Sequence, residues 1–432
     1  MILIYSHKLT NRLRYIFKTL FTDLLKTEIN FTNNIAQFEK SDYIKINYSP
    51  SKLNCGIFFQ STTVLFETGI KEQEINLFEY EKNKCFYNVG KDSEFPFDPF
   101  AASFYLISRY EEYLPHIKDN HERFLASESL AFQNNFLEIP LVNIWLNQIA
   151  KRIESLSNLN FPVRKFEFIS TLDIDNAYAY KHKGFIRTLG GLAKSLQSGN
   201  FSKRLKVLFG KDQDPYDTFD YQLEIHKKYK VSPIYFFLLG DYGLNDKNIP
   251  AKNKIFQSLI KSIADYSEVG IHPSYTSNKN TETLITEIKR LQTITHRNTT
   301  KSRQHFLKLN LPNTYRNLID NDIQKDYTMG YAEHPGFRSS ICSPYYFYDL
   351  DIEVETKLQI LPFTTMEATY QYYKKSTPEE ASQHISELMK TVKSVNGTFI
   401  SVWHNESLCE EGIWKGWKNI YEKMLKESLN PD

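Results

Sequence analysis

Two carboxylates stand together at the end of an apolar run in the stretch FEFISTLDIDNAYAY. Asp173 and Asp175 are separated by one residue, and the run before them is typical of a strand that leaves a protein core. Further along the chain, other apolar runs end on, or are soon followed by, side chains that can do chemistry: His272, His305, Arg338 and His404. Carboxylate and imidazole groups are common ligands of divalent cations and common general acids and bases.

One carboxylate and two histidines that leave a coordination position open would form a catalytic site for Zn²⁺ or a similar ion. Water bound to such an ion has a pKa of roughly 7, and a second carboxylate can then take its proton. Binding a cation and accepting a proton are separate tasks, which explains why the chain places two aspartates so close together. A histidine on the opposite side of the cleft would donate a proton to the leaving group.

Strand-like and helix-like runs alternate after residue 165, which predicts a parallel α/β arrangement. In such folds functional groups gather at the carboxyl ends of the strands, so the candidate side chains are expected to converge in one cleft. Periodicity leaves open whether the strands close into an incomplete barrel or lie in an open sheet. The seven predicted strands span residues 166–172, 232–240, 267–272, 302–309, 326–332, 358–363 and 397–403.

The first part of the chain has a different pattern, in which short strands mix with helical stretches. Residues 1–160 are therefore expected to form an α+β domain and residues 161–432 the α/β domain, with a polar joint at 155–164. The basic segment 181–216 interrupts the alternation after the first strand of the second domain. It is either a lid or substrate wall beside the site or a surface insertion.

Composition argues against several classes of function. The formal net charge is +2 with 24% charged residues, so no nucleic-acid partner is indicated. The four cysteines lie far apart without a CxxC pair, which favours a reducing compartment over a disulfide framework. The N-terminal stretch lacks the order of a signal peptide, and no segment offers the ~20 apolar residues of a membrane span. A cytoplasmic location is therefore expected, and the sequence does not identify any protein partner.

Four motifs resemble those of the polysaccharide deacetylases, the NodB-homology carbohydrate esterases of family 4. TLDIDNA resembles their first motif, TFDDGP, and GIHPSY resembles their second, H-[ST]-x-x-H. GFRSSICSPYYFYD resembles the third motif, an Arg followed by a proline and an aromatic residue, and ISVWHNES resembles the final strand with its His. Order and spacing agree over residues 165–425. The resemblance implies a distorted (β/α)7 barrel, a divalent metal, and the hydrolytic removal of acetyl groups from amino sugars.

Carried over position by position, the resemblance implies roles for five residues. Asp173 matches the catalytic base, and Asp175 and His272 match metal ligands. Arg338 matches the arginine that orients the base, and His404 matches the general acid that protonates the leaving amine. Zn²⁺ is the expected cofactor, with Ni²⁺ or Co²⁺ as alternatives.

The chain departs from the family pattern at three places. Ile174 separates the two aspartates, and Asn-Ala replaces the Gly-Pro of the first motif. The second metal histidine would fall four residues after His272, where the chain has Thr276. His305, at the end of the next strand, is the proposed replacement ligand.

The pattern leaves three functions open. The first is a metal-dependent hydrolase that removes acetyl groups from an N-acetylated sugar or a bacterial envelope glycan precursor. In that case Tyr345 and Trp403 either stack on the sugar ring or pack in the core. The second is an inactive deacetylase-like barrel that acts as a binding or assembly protein in envelope glycan biosynthesis, which the missing histidine at position 276 would permit. The third is a related hydrolase of non-sugar amides.

Overall fold

The computed structural model describes residues 1–197 and 200–430, and its first 60 residues contain a small parallel sheet. The strands of this sheet are β1 (Ile2–Tyr5), β2 (Ile29–Thr32), β3 (Ile44–Ser49) and β4 (Ile57–Gln60). Their order in space is β2-β1-β3-β4. A short antiparallel hairpin follows, formed by β5 (Phe78–Tyr80) and β6 (Asn83–Cys85).

A nine-stranded sheet begins at residue 167 and carries the candidate site residues. Its strands are β7 (Glu167–Ile174), β8 (Ile234–Leu238), β9 (Glu268–His272), β10 (Lys301–Ser302), β11 (Lys325–Asp326), β12 (Tyr345–Asp349), β13 (Val354–Ile360), β14 (Thr365–Met366) and β15 (Thr398–His404). Their order in space is β12-β13-β11-β10-β9-β8-β7-β15-β14. Neighbours are parallel, apart from the antiparallel pair β12 and β13.

The fold is therefore mixed α/β, as the alternation of strands and helices predicts. Within residues 1–197 and 200–430, no strand pairing joins β12 to β14, so closure of the large sheet into a barrel stays a prediction. The register brings the strand ends to one edge. β15 pairs with β7 so that His404 stands beside Asp173, and β8 pairs with β9 so that Leu238 stands beside His272.

Helices connect most of the strands and cover the sheets. They are α1 (Asn11–Phe17), α2 (Ile35–Lys40), α3 (Pro99–Ile107), α4 (Leu130–Gln133), α5 (Leu141–Leu156), α6 (Phe185–Gln197), α7 (Phe201–Leu208), α8 (Phe219–Tyr229), α9 (Lys254–Ala264), α10 (Thr281–Thr295), α11 (Asn313–Asp320), α12 (Pro378–Ser394) and α13 (Trp417–Leu429). Two π-helical segments, Lys18–Leu24 and Thr369–Lys374, are also present. No helix in the described part of the chain has the length and apolar character needed to cross a bilayer.

Helix α12 shows how the local sequence sets a helix end. Thr377 Oγ1 accepts the backbone N–H of Glu380 at 3.2 Å, and Glu380 Oε2 accepts the backbone N–H of Thr377 at 2.8 Å. Pro378 occupies the first turn, where a missing N–H costs no intrahelical bond. These two reciprocal hydrogen bonds form a capping box at the start of the helix.

Two predicted strands are much shorter in the structure than in the sequence-based assignment. The runs at 302–309 and 326–332 contribute only the two-residue strands β10 and β11. After Ser302 the chain leaves the sheet for a short turn at His305–Leu307, where Phe306 has a φ of 59°. Residues in this turn form buried polar contacts instead of pairing as a strand. The hydrophobic pattern of the sequence does not reveal such contacts.

The first 160 residues pack against the large sheet through buried polar and apolar contacts. Arg12 Nε donates to Glu353 Oε2 at 2.9 Å, and Tyr15 Oη donates to the carbonyl O of Tyr346 at 2.7 Å. One hydrophobic core contains buried side chains from both parts of the chain, including Phe100 and Tyr348. The N-terminal part is therefore in a position to shape the cleft of the large sheet.

Candidate metal centre

Three side chains from neighbouring strand ends meet at one edge of the large sheet. They are Asp175, directly after β7; His272, the last residue of β9; and His305, in the turn after β10. One potential ligand atom from each lies within 4.8 Å of the others. His272 Nε2 is 3.1 Å from Asp175 Oδ1, and His305 Nε2 is 3.3 Å from Asp175 Oδ2. The structure thus brings together the carboxylate and the two histidines that the sequence analysis assigned to a metal.

Each of the two histidines is oriented through its other ring nitrogen. His272 Nδ1 lies 2.6 Å from the carbonyl O of Arg303, and His305 Nδ1 lies 2.8 Å from Asp246 Oδ1. Carbonyl and carboxylate oxygens accept hydrogen bonds, so each Nδ1 carries a proton and each Nε2 faces Asp175. Proteins commonly orient metal-binding imidazoles by this kind of hydrogen bond from the second nitrogen.

The contact between His272 and Asp175 is the clearest sign of a cation site. Because His272 Nδ1 donates to a carbonyl oxygen, Nε2 of the neutral ring has only a lone pair to offer. This lone pair faces Asp175 Oδ1, a buried oxygen that makes no hydrogen bond within the described residues. Two acceptors 3.1 Å apart are unfavourable unless a proton or a metal cation lies between them. The donor set of two imidazole nitrogens and one carboxylate oxygen fits Zn²⁺ and similar ions.

The charges around Asp175 favour its ionised form. Burial alone would raise the pKa of Asp175, but the charge of His305 and the close approach of both imidazole rings hold that pKa well below the usual value. Burial likewise lowers the pKa of His305, whereas the negative charges of Asp175 and Asp246 raise it to about 9. A divalent cation bound here would compete with protons for the same lone pairs, so its binding would release protons.

Asp173 lies beside the three potential ligands but has a different partner. Its Oδ1 accepts a hydrogen bond from Arg303 Nη1 at 2.9 Å, and its Oδ2 lies 3.9 Å from His272 Nε2. Arg303 is fully buried, and it also donates to Thr171 Oγ1 at 2.6 Å and to the carbonyl O of Tyr327 at 3.0 Å. A guanidinium anchored at three points fixes the orientation of the carboxylate that it holds.

The third motif suggests that Arg338 orients the carboxylate of Asp173, but Arg338 has other partners in the structure. Its Nε and Nη2 donate to the carboxylate of Glu112 at 2.9 and 2.7 Å, and its Nη1 donates to the carbonyl O of Gly330 at 3.0 Å. Glu112 belongs to the N-terminal part of the chain and also accepts a hydrogen bond from Arg109. The structure therefore corrects the expectation: Arg338 belongs to a buried ion network between two parts of the chain, and Arg303 stands beside Asp173.

His404, the register partner of Asp173 on β15, lies at the same edge of the sheet, with its Nε2 3.9 Å from Asp175 Oδ2. Glu367 Oε1 lies 2.7 Å from His404 Nδ1 and also accepts the backbone N–H of His404 at 2.8 Å. Burial lowers the pKa of His404, but the charge of Glu367 and its hydrogen bond outweigh burial and raise the pKa well above the usual value. The raised pKa favours the protonated imidazole, the form that can donate a proton.

Tyr345 and Trp403, the two residues considered for stacking on a sugar, do not reach the cleft. Both are buried in the core, where Trp403 packs edge-on against Trp417. The structure thus places them as core residues, which is the other interpretation that the sequence allowed. Tyr372 and Tyr373 line the cleft instead, and each is about half exposed.

Three polar residues that support this cluster were missed by the sequence analysis. Asp246 lies in the loop after β8, Arg303 follows β10 directly, and Glu367 follows β14 directly. A local signal existed for Arg303, because it stands at a strand end two residues before His305. The other two reach the cluster through loops or very short strands, whose course hydrophobic periodicity does not determine.

Comparison with known protein families concerns the first part of the chain. The sequence profile of a family of unknown function, DUF7033, matches residues 2–158. Comparison with curated proteins gives no match.

Several solved structures align with part of the chain at low sequence identity. A provisionally assigned polysaccharide deacetylase from Mycobacterium smegmatis aligns at 13% identity with a TM-score of 0.40, over 62% of this chain and 86% of that one. An allantoinase aligns at 11% identity with a TM-score of 0.40, over 60% of this chain and 84% of the allantoinase chain. A CE4-family pseudoenzyme from Bacillus anthracis aligns at 12% identity with a TM-score of 0.33, over 64% of this chain and 67% of the pseudoenzyme chain.

A cavity of about 170 Å³ opens onto the cluster of ligands, and part of its wall comes from the N-terminal region. Arg123, which lies within the region that matches DUF7033, lines this cavity. Its Nε donates to Asp119 Oδ2 at 2.7 Å, and its Nη1 donates to the carbonyl O of Phe306 at 2.9 Å. The N-terminal region therefore packs on the turn that carries His305 and helps to shape the cleft.

Proposed function

We propose that the protein is a metal-dependent hydrolase that removes the acetyl group from an N-acetylated sugar or glycan precursor. The observation that supports this most strongly is the close approach of two acceptors, His272 Nε2 and Asp175 Oδ1, at 3.1 Å. A divalent ion held by Asp175, His272 and His305 would supply Lewis acidity toward an amide carbonyl and toward water. Zn²⁺ suits this donor set, and Ni²⁺ and Co²⁺ are the alternatives.

The two protons of the reaction would be handled by two different residues beside the ligands. Asp173, held in place by Arg303, would take a proton from the water that attacks the acetyl carbon. His404, kept protonated by Glu367, would give a proton to the nitrogen as its bond to that carbon breaks. The products are acetate and a free amine, and the proton on Asp173 must return to His404 through solvent before the next turnover.

The sugar part of the proposal depends on the four sequence motifs and on the cleft wall. Tyr372 and Tyr373 present half-exposed aromatic rings to the cavity, and such rings can pack against the apolar face of a sugar. On the strength of the same motifs we propose that the large sheet forms the distorted (β/α)7 barrel of the polysaccharide deacetylases. The division into domains at 1–160 and 161–432 is likewise a proposal.

The position of His305 favours a metal site over the alternative of an inactive binding or assembly protein. That alternative arose because Thr276 stands where the family has its second metal histidine. Thr276 is exposed, whereas His305 Nε2 lies 3.3 Å from Asp175 Oδ2 and gives the cluster its second imidazole.

Metal content and acetate release together test the proposed function. Protein supplied with Zn²⁺, Ni²⁺ or Co²⁺ is expected to hold about one ion per chain and to release acetate from members of a panel of N-acetylated sugars. Asp175→Ala, His272→Ala and His305→Ala are each expected to abolish both properties. Asp241→Ala, which removes an exposed carboxylate from the loop after β8, is the matched control and should retain them. A folded wild-type chain that takes up no ion at saturating supply would refute the metal site. Acetate released from non-sugar amides alone would refute the sugar substrate.

A further inference from the structure

The segment 181–211 concentrates the positive charge of the chain. It contains eight Lys and Arg residues and no Asp or Glu, whereas the rest of the chain carries 45 Lys and Arg against 51 Asp and Glu. The overall net charge of +2 therefore combines a strongly basic segment with an acidic rest of the chain. A local excess of this kind indicates an anionic partner.

Helix α6, within this segment, turns its apolar face outward. Phe185, Ile186, Leu189 and Leu196 are 79%, 85%, 49% and 64% exposed, whereas Ser195 is buried. At about 100° per residue, the four apolar positions fall within about 100° of one another and form one stripe along the helix. An apolar stripe normally packs against the core of its own protein, so a stripe that faces solvent marks a contact surface.

The loop after β8 contacts α6 through Arg187 and carries an exposed apolar side chain of its own. Arg187 of α6 donates to the carbonyl O atoms of Asn248 and Lys247 at 2.8 and 2.7 Å, and its guanidinium lies 4.1 Å from the ring centroid of Tyr242. The same loop carries Leu244, which is largely exposed. Phe185, Ile186, Leu189, Leu196 and Leu244 are called the apolar rim below.

The apolar rim is attached to the candidate metal centre from two sides. Asp214, which is buried, accepts the backbone N–H groups of Ala179, Tyr180 and Lys181 at 2.6, 2.8 and 3.0 Å. This contact closes the base of the basic segment four residues after Asp175. On the other side, the loop that holds Leu244 also holds Asp246, the partner of His305. The position of the rim is thus tied to the position of the cleft.

We infer that the apolar rim and the exposed basic residues of the segment 181–211, among them Lys194, Lys206 and Lys211, dock onto the surface of an anionic lipid bilayer. A bilayer takes up both features at once, because exposed apolar side chains enter the headgroup region while Lys and Arg contact anionic headgroups. A soluble polyanion such as a nucleic acid would match the charges but would leave Phe185, Ile186 and Leu189 in water. Docking in this way holds the mouth of the cleft beside the membrane. Bilayer docking can be measured without metal and without enzyme activity, so its test is independent of the proposed hydrolase function.

Sedimentation with lipid vesicles tests the docking on the full chain. The protein is expected to sediment with vesicles of phosphatidylcholine and phosphatidylglycerol, and to do so much less with phosphatidylcholine alone. Binding should weaken as salt rises from 0.1 to 1 M, because the screening length falls from ~10 to ~3 Å. Wild-type protein that stays in the supernatant with the anionic vesicles at low salt would overturn the inference.

Two sets of variants separate the apolar contribution from the charge contribution. Phe185→Ser, Ile186→Ser and Leu189→Ser combined should abolish the binding that persists at high salt. Lys194→Gln, Lys206→Gln and Lys211→Gln combined should weaken binding to anionic vesicles by about fivefold for each charge removed. The matched control is Val163→Ser with Ile352→Ser, which removes exposed apolar side chains outside the segment and should bind like wild type.

The substitutions lie at exposed positions, so a circular dichroism spectrum like that of wild type is expected for each variant. As an independent measurement, Phe185→Trp should show a blue-shifted tryptophan emission when anionic vesicles are added. A serine variant that binds vesicles like wild type would overturn the bilayer assignment. Binding that heparin abolishes completely and that the serine substitutions leave unchanged would assign the basic segment to a soluble polyanion instead.

Discussion

Arg303 Nη1 donates a hydrogen bond to Asp173 Oδ1 across 2.9 Å, and both groups are buried. The guanidinium comes from the chain directly after β10, and His305 lies in the turn that follows. One short segment thus supplies a potential metal ligand and the support of the proposed base. A shift of this segment would therefore disturb the ligand and the base together.

Arg303→Lys is expected to lower kcat for acetate release by about 10–100-fold, with KM and metal content unchanged. Lysine offers one compact ammonium group, which cannot reproduce the anchored, planar contact of a guanidinium with Asp173 and Thr171. Steady-state kinetics and metal analysis of the purified variant measure the effect. Arg290→Lys, at a more exposed pair with Asp241, is the control and should leave kcat unchanged. If the variant loses bound metal as well as kcat, Arg303 maintains the structure of the whole site and does not act on Asp173 alone.

Arg338→Met should destabilise the fold by about 3–5 kcal/mol, because breaking a buried ion pair leaves its partner charge without compensation. The partner is Glu112, whose carboxylate is held 2.7 Å from Arg338 Nη2 in the interior. Urea unfolding of the wild type and the variant gives the difference in unfolding free energy. Arg152→Met, at a half-exposed pair with Glu94, should cost less. Equal effects of the two substitutions would mean that the network around Glu112 reorganises when Arg338 is removed.

Asp246→Asn is expected to weaken metal binding by about 10–100-fold without preventing folding. The aspartate holds His305 through Nδ1, and replacing its charge by an amide weakens the bond that orients this ring. Competition with a chromogenic chelator measures the affinity for Zn²⁺. Asp241→Asn, in the same loop but exposed, is the control and should not change the affinity. Unchanged affinity in Asp246→Asn would show that this carboxylate does not support a metal ligand.

Strand ends could be located from the sequence because each apolar run stops where a polar side chain begins. This holds for β7, β9 and β15, whose ends carry or directly precede the carboxylates and histidines of the cluster. Helix α5 spans residues 141–156, where apolar residues recur at helical spacing, as in Leu141, Trp145 and Ile149. In these elements the buried face sets the periodicity, and periodicity is visible in a single sequence.

The polar partners of the cluster could not be predicted in the same way. The third motif singles out Arg338, but Glu112, 226 residues earlier in the chain, binds that arginine in the interior. The place beside Asp173 is then taken by Arg303, which belongs to no motif. Which guanidinium meets which carboxylate depends on how distant segments pack, and no local pattern records that.

Glu367→Gln is expected to lower kcat by about 10–100-fold while the metal content and KM stay unchanged. Glutamine keeps the shape and an acceptor for His404 Nδ1, but it removes the negative charge that keeps the imidazole protonated. Kinetics of acetate release measure the change, with Glu379→Gln as an exposed control on α12. A loss of metal in Glu367→Gln, or a kcat equal to that of wild type, would contradict the proposed role of Glu367 as a positioning residue.

The buried side chain of His226 is expected to make the stability of the fold depend on pH. Burial lowers the pKa of this histidine to about 4, and its Nε2 lies 2.5 Å from Tyr421 Oη between α8 and α13. The unfolded chain binds a proton near pH 6.5 and the folded chain only near 4, so this residue makes stability fall as pH decreases through that window. The loss amounts to about 3 kcal/mol at most.

His226→Gln keeps a hydrogen-bonding group for Tyr421 but cannot take up the proton. The difference in unfolding free energy between pH 7 and pH 4.5, measured by urea unfolding, should therefore be smaller in this variant than in wild type. Ile225→Val, at the neighbouring buried position, is the control. It should lower stability by about 1 kcal/mol at both pH values and leave their difference unchanged. A pH dependence in His226→Gln equal to that of wild type would place the acid sensitivity of the fold on other groups.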